Sequence, residues 1–233
     1  LPIHSPNPKV FMAVGNCLIG HVDKADCMAT SFMNSAGVIQ MFGYTVPSWF
    51  GYGGWGVGEY FLDQPARYTF NEAFFANQVA LDYCLASYLK QHPGLTPPEG
   101  QVDVRRLTQD GHRDLAGLLY DRKTVAFYGD PAWIAKTMPG KLQWEQKLTT
   151  VRNNKKTRYT LEITSGGEEP EKKISGESAP WKEPRPVIQW LPVRLKNPKI
   201  ISGQEFQPLL TENFILIPRS KTVGNMTIVA ESE

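Results

Sequence analysis

Two hydrophobic periods run along this 233-residue chain, and they change over at one place. Before Gly140, apolar residues recur at helical spacing between short apolar runs. From Lys141 onward, short β-branched and aromatic runs alternate with turn residues, and no long helical stripe appears. Helix-period and strand-period patterns bury different faces, so such a change separates two cores. Charge changes at the same point. The segment through Gly140 carries 10 basic and 12 acidic residues; the remainder carries 15 and 11, and every acid there is Glu. The expected organisation is an α/β subdomain over residues 1–140 followed by an all-β domain over 141–233.

Within the first part, Lys9 to Val14 is an apolar run that ends at Gly15-Asn16 and reads as a buried strand. Ala25, Met28, Ala29, Phe32 and Met33 form a helical stripe, with Asp23 as its expected cap and Gly37 past its end. Val38 to Tyr44 returns to strand character. Strand, helix, strand in this order predicts a βαβ unit with parallel strands. Thr69-Phe-Asn-Glu72 has capping-box spacing and opens a helix to about Lys90. Leu107 to Tyr120 is expected to be partly helical, and Thr124 to Tyr128 to be a strand ending at Gly129-Asp130-Pro131. In the second part, Lys147–Val151, Arg158–Thr164, Val187–Leu195, Phe214–Ile217 and Met226–Ala230 predict the strands of a sandwich.

Composition narrows the function. A formal net charge of +2 gives no electrostatic reason to expect nucleic acid as a partner. No segment approaches the ~20 apolar residues of a membrane span. Nothing near Leu1 has the layout of a secretory leader, although the chain does not begin with Met, so that absence decides little. Cys17, Cys27 and Cys84 are too few for a disulfide scaffold, and at least one is unpaired. No His, Cys and carboxylate grouping has metal-ligand spacing, so neither metal nor cofactor is expected.

Chemistry is expected at the end of the first strand. In an open α/β sheet, reactive groups gather at the carboxyl ends of the strands. Cys17 stands there, on a loop where a rigid base holds a thiol that its surroundings can tune toward thiolate. Cys27 and Cys84 fall on helices and read as packing residues.

The stretch Val14-Gly-Asn-Cys17-Leu-Ile-Gly20, then Cys27-Met-Ala-Thr-Ser-Phe32, then Gly43-Tyr-Thr-Val-Pro-Ser-Trp49, resembles the catalytic region of gingipain-like cysteine peptidases. These are relatives of the caspases and clostripain, in which an immunoglobulin-like β domain follows the catalytic part. The resemblance covers roughly Lys9 to Thr137. It implies part of a caspase-like, mostly parallel sheet flanked by helices, followed by an Ig-like sandwich. It also implies a cysteine endopeptidase acting on protein or peptide substrates, secreted or displayed at the cell surface. Cys17 would be the nucleophile, its backbone N–H would help bind the oxyanion, and Trp49, with Ser48 and Tyr44, would line the substrate pocket.

Such a peptidase needs a histidine, which the family places a few tens of residues before the cysteine. His4 is the sole candidate upstream of Cys17 and is too close to the first strand to reach an adjacent parallel one, since that crossover takes about a dozen residues. His21 lies four residues after Cys17, where the family does not place its base, and His92 and His112 fall in a Pro-rich loop and at a polar helix end. The expectation is therefore a chain inactive alone, with its histidine supplied from a missing N-terminal part of the same protein. The competing expectations are a non-catalytic binding or structural module and an acyl-transfer enzyme using the same thiol.

Overall fold

Strand β1 (Lys9–Met12) lies beside strand β2 (Val38–Tyr44) and parallel to it, with Phe11 opposite Met41 and Met12 opposite Phe42. The computed structural model describes residues 5, 7–12, 18–47, 54–97, 99, 103–165, 185–219 and 224–233. Helix α1 (Met28–Ser35) connects these two strands and covers one face of the sheet. It starts later than the sequence suggests. Its N-cap is Cys27 rather than Asp23, and Gly37, at φ +72°, follows its end. Phe32 of α1 stacks on Phe11 at 4.5 Å, and Ala29 joins Ile19, Val38 and Met41 in one apolar cluster.

The opposite face is covered by α3 (Phe70–Gln91), which follows the short α2 (Val57–Phe61). A complete capping box opens α3: the Glu72 N–H donates to Thr69 Oγ1, and the Thr69 N–H donates to Glu72 Oε2 at 2.7 Å. Phe70 and Phe74 of its first turns sit 5.8 and 6.2 Å from Phe42 of β2. Helices α4 (Val104–Gln109) and α5 (Arg113–Thr124) come next, and α5 runs straight into β3 (Val125–Gly129).

Here the expectation of a caspase-like, mostly parallel sheet fails. The described sheet has three strands in the order β1-β2-β3, and β3 runs antiparallel to β2. The reason is where α5 ends. The Thr45 N–H, just past the carboxyl end of β2, donates to the Thr124 carbonyl at 2.8 Å. The chain thus enters β3 at the end where β2 finishes, and with no loop between helix and strand it can only run back.

Among the described residues the chain divides into two units, at Gly140 and Lys141. The second contains two antiparallel sheets. One has the order β4-β5-β10-β7, from β4 (Trp144–Asn153), β5 (Lys156–Ser165), β10 (Met226–Ser232) and β7 (Lys199–Ser202). The other has the order β6-β9-β8, from β6 (Val187–Trp190), β9 (Phe214–Ile217) and the two-residue β8 (Leu209–Leu210). Trp144, Leu161, Ile163 and Ile228 of the first sheet share a core with Val187, Ile215 and Ile217 of the second.

This is not the immunoglobulin arrangement. That fold places its first, second, fifth and fourth strands in one sheet and its third, sixth and seventh in the other. In the seven described strands here, the fifth and the seventh have exchanged sheets. Patterning explains the exchange: Met226, Ile228, Ala230 and Ser232 alternate inward, and β10 pairs with β5 along its whole length, from Met226 opposite Ile163 to Ser232 opposite Thr157. Such a strand belongs inside a sheet, whereas β8 is too short for the place. No helix among the described residues is long and apolar enough to cross a membrane.

Candidate functional site at the carboxyl edge of the first sheet

Because β1 and β2 are parallel, both finish at the same edge, where α5 also ends. A turn at Leu18–Gly20 lies across this edge. The Gly20 N–H donates to the Tyr44 carbonyl at 3.0 Å, the His21 N–H closes the turn onto Leu18 at 2.9 Å, and the Tyr128 hydroxyl donates to the Gly20 carbonyl. Ile19 anchors it, 1% exposed in the α1 cluster. Two glycines permit the close approach. A Cβ on Gly20 would lie 2.5 Å from the Gly43 carbonyl oxygen, and one on Gly43 would lie 2.2 Å from Ile19 Cγ2.

His21 is tied to the same place. Its Nδ1 lies 2.8 Å from the Thr45 carbonyl oxygen, which can only accept, so Nδ1 carries the hydrogen. In the neutral ring, Nε2 is then the acceptor. Tyr44 is fully buried and spends its hydroxyl inward, donating to Asp121 Oδ1 at 2.8 Å. Cys17, Ser48 and Trp49, the remaining residues that the sequence nominates, lie outside the described residues, as does His4.

The other chemistry-bearing residues are placed elsewhere. Cys27 caps α1 with Sγ 3.3 Å from Thr30 Oγ1. That hydroxyl, helped by the Thr30 and Ala29 backbone amides and opposed by burial, holds its thiol below the ordinary cysteine range. The neighbouring Tyr128 phenol is pushed up, first by burial and then by the Cys27 charge. His92 stacks on Tyr88 at 4.1 Å near the end of α3 and pairs with the Tyr88 carbonyl, while His112 Nδ1 lies 3.4 Å from the Tyr88 hydroxyl. Burial, and next the charge of Asp114, raise the Tyr88 phenol. Among the described residues no group of three or more His, Cys, Asp and Glu is placed to hold a metal. In the second unit, a recess of 460 Å³ is lined by Glu145, Lys147, Glu162, Asn225 and neighbouring strand residues. Its lining contains no Cys or His.

Sequence reading missed the groups that fix this edge. Asp121 accepts from Tyr44 and from the Gly54 N–H, Asn77 donates to the Gly54 carbonyl, and Tyr120 donates to the Pro47 carbonyl. The signal available was a charged residue three positions after Leu118, on the apolar stripe of α5. Comparison of the chain with family models, with curated proteins and with solved structures finds no match in any of the three.

Proposed function

We propose that this chain carries the nucleophile of a cysteine endopeptidase, Cys17, and that its likeness to gingipain-like peptidases reflects that activity. The observation that carries the reading is the Leu18–Gly20 turn, hydrogen-bonded to the end of β2 by its own backbone and by Tyr128. Cys17 is the residue before that turn, and only five residues separate Met12, the end of β1, from Leu18. A hydrogen-bonded turn of this kind gives the sheet edge a fixed frame beside which a catalytic group and its substrate can be held.

In the reaction the thiolate attacks the scissile carbonyl, the C–N bond breaks as the leaving amine takes a proton, and water then hydrolyses the thioester. The proton carrier is a histidine from outside this chain. Export of the protein, implied by the same likeness, belongs to this proposal. The feature that favours a non-catalytic binding module instead is the size of the described sheet, three strands with β1 at one edge.

The test is to treat the full-length protein and this chain alone with iodoacetamide and with peptidyl chloromethyl ketones, mapping the modified cysteine by mass spectrometry. Cys17 is expected to react first, and in the full-length protein fastest, with Cys27 and Cys84 as internal controls. Equal reaction at all three, or hydrolysis retained in Cys17→Ala, removes the assignment. Full turnover by this chain alone that is lost on changing His21 would make His21 the base.

A further inference from the structure

The β4–β5 hairpin runs past the core of its own unit. From Thr149 to Lys156, eight consecutive residues of β4, the turn and β5 are exposed. A strand that lies on a core buries every second residue, so an unbroken exposed run means that the hairpin stands clear on both faces. The ladder nevertheless continues to the tip: Asn153 pairs with Lys156 across a two-residue turn, in which Asn154 takes φ +52°. This arm is ordered without burial, and what its sequence supplies is charge. Val151-Arg-Asn-Asn-Lys-Lys-Thr-Arg158 holds four cations and no acid.

Register places these cations. Val151, Arg158 and Glu231 lie side by side across β4, β5 and β10, so Lys156, two residues from Arg158, shares their face. Arg152, next to Val151, is on the other face, and Lys155 sits in the turn. Lys199 of β7 stands opposite Glu231, and the Glu233 N–H donates to the Lys196 carbonyl, which brings two more lysines to this end of the unit. Against these cations stand Glu231, held by Arg158 at 2.7 Å and by Lys156 at 3.6 Å, and Glu233, which accepts from Asn197. Among the described residues Arg152 and Lys155 have no ionic partner. A lysine or two keeps an edge strand such as β4 from pairing with other chains. Cations on both faces and at the tip go further, and gather anions.

We propose that this arm is a binding surface for a linear sulfated polysaccharide; the proposal does not rest on the peptidase reading. One exposed ion pair contributes little by itself, so the partner must meet several cations at once and carry anions along its length. An extended acidic peptide turns alternate carboxylates away from the surface it lies on. A sulfated sugar chain carries anionic groups on all sides and can follow the cations from one face of the arm, round its tip, to the other. Single-stranded nucleic acid is held by stacking on exposed aromatic rings, whereas Tyr159, the ring nearest the tip in sequence, is 3% exposed. Duplex DNA, with a persistence length of about 50 nm, is too stiff to turn round the tip.

The experiment measures binding of the 233-residue chain to heparin, desulfated heparin, poly-glutamate and a DNA duplex, at about 50 and 200 mM salt. Heparin is expected to bind most tightly and to weaken as salt rises; the desulfated form should bind at least about tenfold more weakly. Removing two cations, in Arg152→Ser with Lys155→Ser, should weaken heparin binding roughly 3- to 30-fold. The exchange Arg152→Lys with Lys155→Arg keeps the charge and should stay within about twofold. So should Lys136→Ser with Lys141→Ser, which removes the same charge from exposed positions outside the arm. All substituted side chains are exposed, and an unchanged melting temperature shows that each variant is folded. Absence of heparin binding by the unsubstituted chain overturns the proposal. Tighter binding of poly-glutamate or of the duplex overturns it too, and assigns the arm to an acidic protein or to nucleic acid. An equal loss in the arm variant and in the Lys136 and Lys141 control means that net charge alone is read, and likewise removes the arm as a site.

Discussion

The two units bury polar groups to different ends. In the first, Gln40, Asn77 and Asp121 are fully buried, and each holds the backbone of another segment: Gln40 donates to the Asp130 and Trp133 carbonyls, Asn77 to that of Gly54, and Asp121 accepts from the Gly54 N–H. In the second, the core is Trp144 with Leu, Ile and Val from two sheets, and Arg219 lies with its guanidinium 4.2 Å from the centre of the Trp144 ring. Long antiparallel strands fix their own register through the ladder, so β4, β5 and β10 need little help from side chains. A three-stranded sheet with loops at its edge has no such ladder there. Side-chain to backbone bonds take its place, and the chemistry-bearing residues collect in that unit: beyond Lys141 the chain has no Cys, His or Asp.

The sharpest way to break this contrast is through activity. On the proposed peptidase reading, Cys17→Ala should lower peptide hydrolysis by at least about a thousandfold, with the melting temperature almost unmoved. Charge reversals on the outer face of the second unit, at Lys147 or Glu162, should leave cleavage of short peptides unchanged. A large loss from either of those, in a folded protein, would mean that the second unit takes part in the chemistry.

Next in size is a cavity in the second core. Trp144 is 2% exposed and packs among Leu161, Ile163 and Ile217. Trp144→Ala should cost about 3–5 kcal/mol, read as a shift of the second unit's transition in urea. The first unit's transition should stay where it is. If both shift together, the two units do not unfold separately and the contrast is one of composition only.

The matching change in the first unit removes a polar tie. Gln40→Met keeps much of the volume but leaves the Asp130 and Trp133 carbonyls without their donor. A cost of about 1–3 kcal/mol is expected, with faster amide exchange across 130–135. A stabilised protein would show that the tie contributes nothing net. Thr69→Ala, which opens the capping box of α3, should cost about 1 kcal/mol, and Thr69→Ser should recover most of it.

The capping box was legible because its code is local: Thr69 and Glu72 are three residues apart and answer only to each other. The parallel pairing of β1 with β2 was legible for a similar reason, since α1 is the one element between them among the described residues. Other features depended on distant partners. The direction of β3 is set by the bond from Thr45 to Thr124, 79 positions away, which no periodicity records. The central place of β10 follows from competition among strands for one position beside β5, so a strand count alone suggested the wrong sandwich. The start of α1 also differs from the sequence expectation. Asp23 looks like a cap, but Cys27 takes that role in extended backbone at φ −69°, ψ 170°, with its thiol near Thr30. At the carboxyl edge of the first sheet, Asp121 reads in sequence as any acid on a helix, because its partners Tyr44 and Gly54 lie 77 and 67 positions away.

The smallest expected effect tests whether the second unit draws stability from charge at all. Glu231 of β10 stands opposite Arg158 of β5, with Arg158 Nη2 at 2.7 Å and Lys156 Nζ at 3.6 Å. Arg158, through its hydrogen bond and then its charge, and Lys156 after it hold the Glu231 carboxyl below the ordinary glutamate range, against a smaller opposing effect of burial. A carboxylate whose pKa is lower folded than unfolded adds stability above its unfolded value, and that contribution disappears as pH falls through the lowered folded value. Denaturation midpoints of the second unit should therefore decline on acidification below the usual glutamate range. The decline should be shallower in Glu231→Gln and in high salt, because exposed arginine and lysine partners are screened. If the variant and the parent trace the same acid limb, this cross-strand cluster adds nothing to stability, and the second unit is held by its apolar core and its backbone ladder alone.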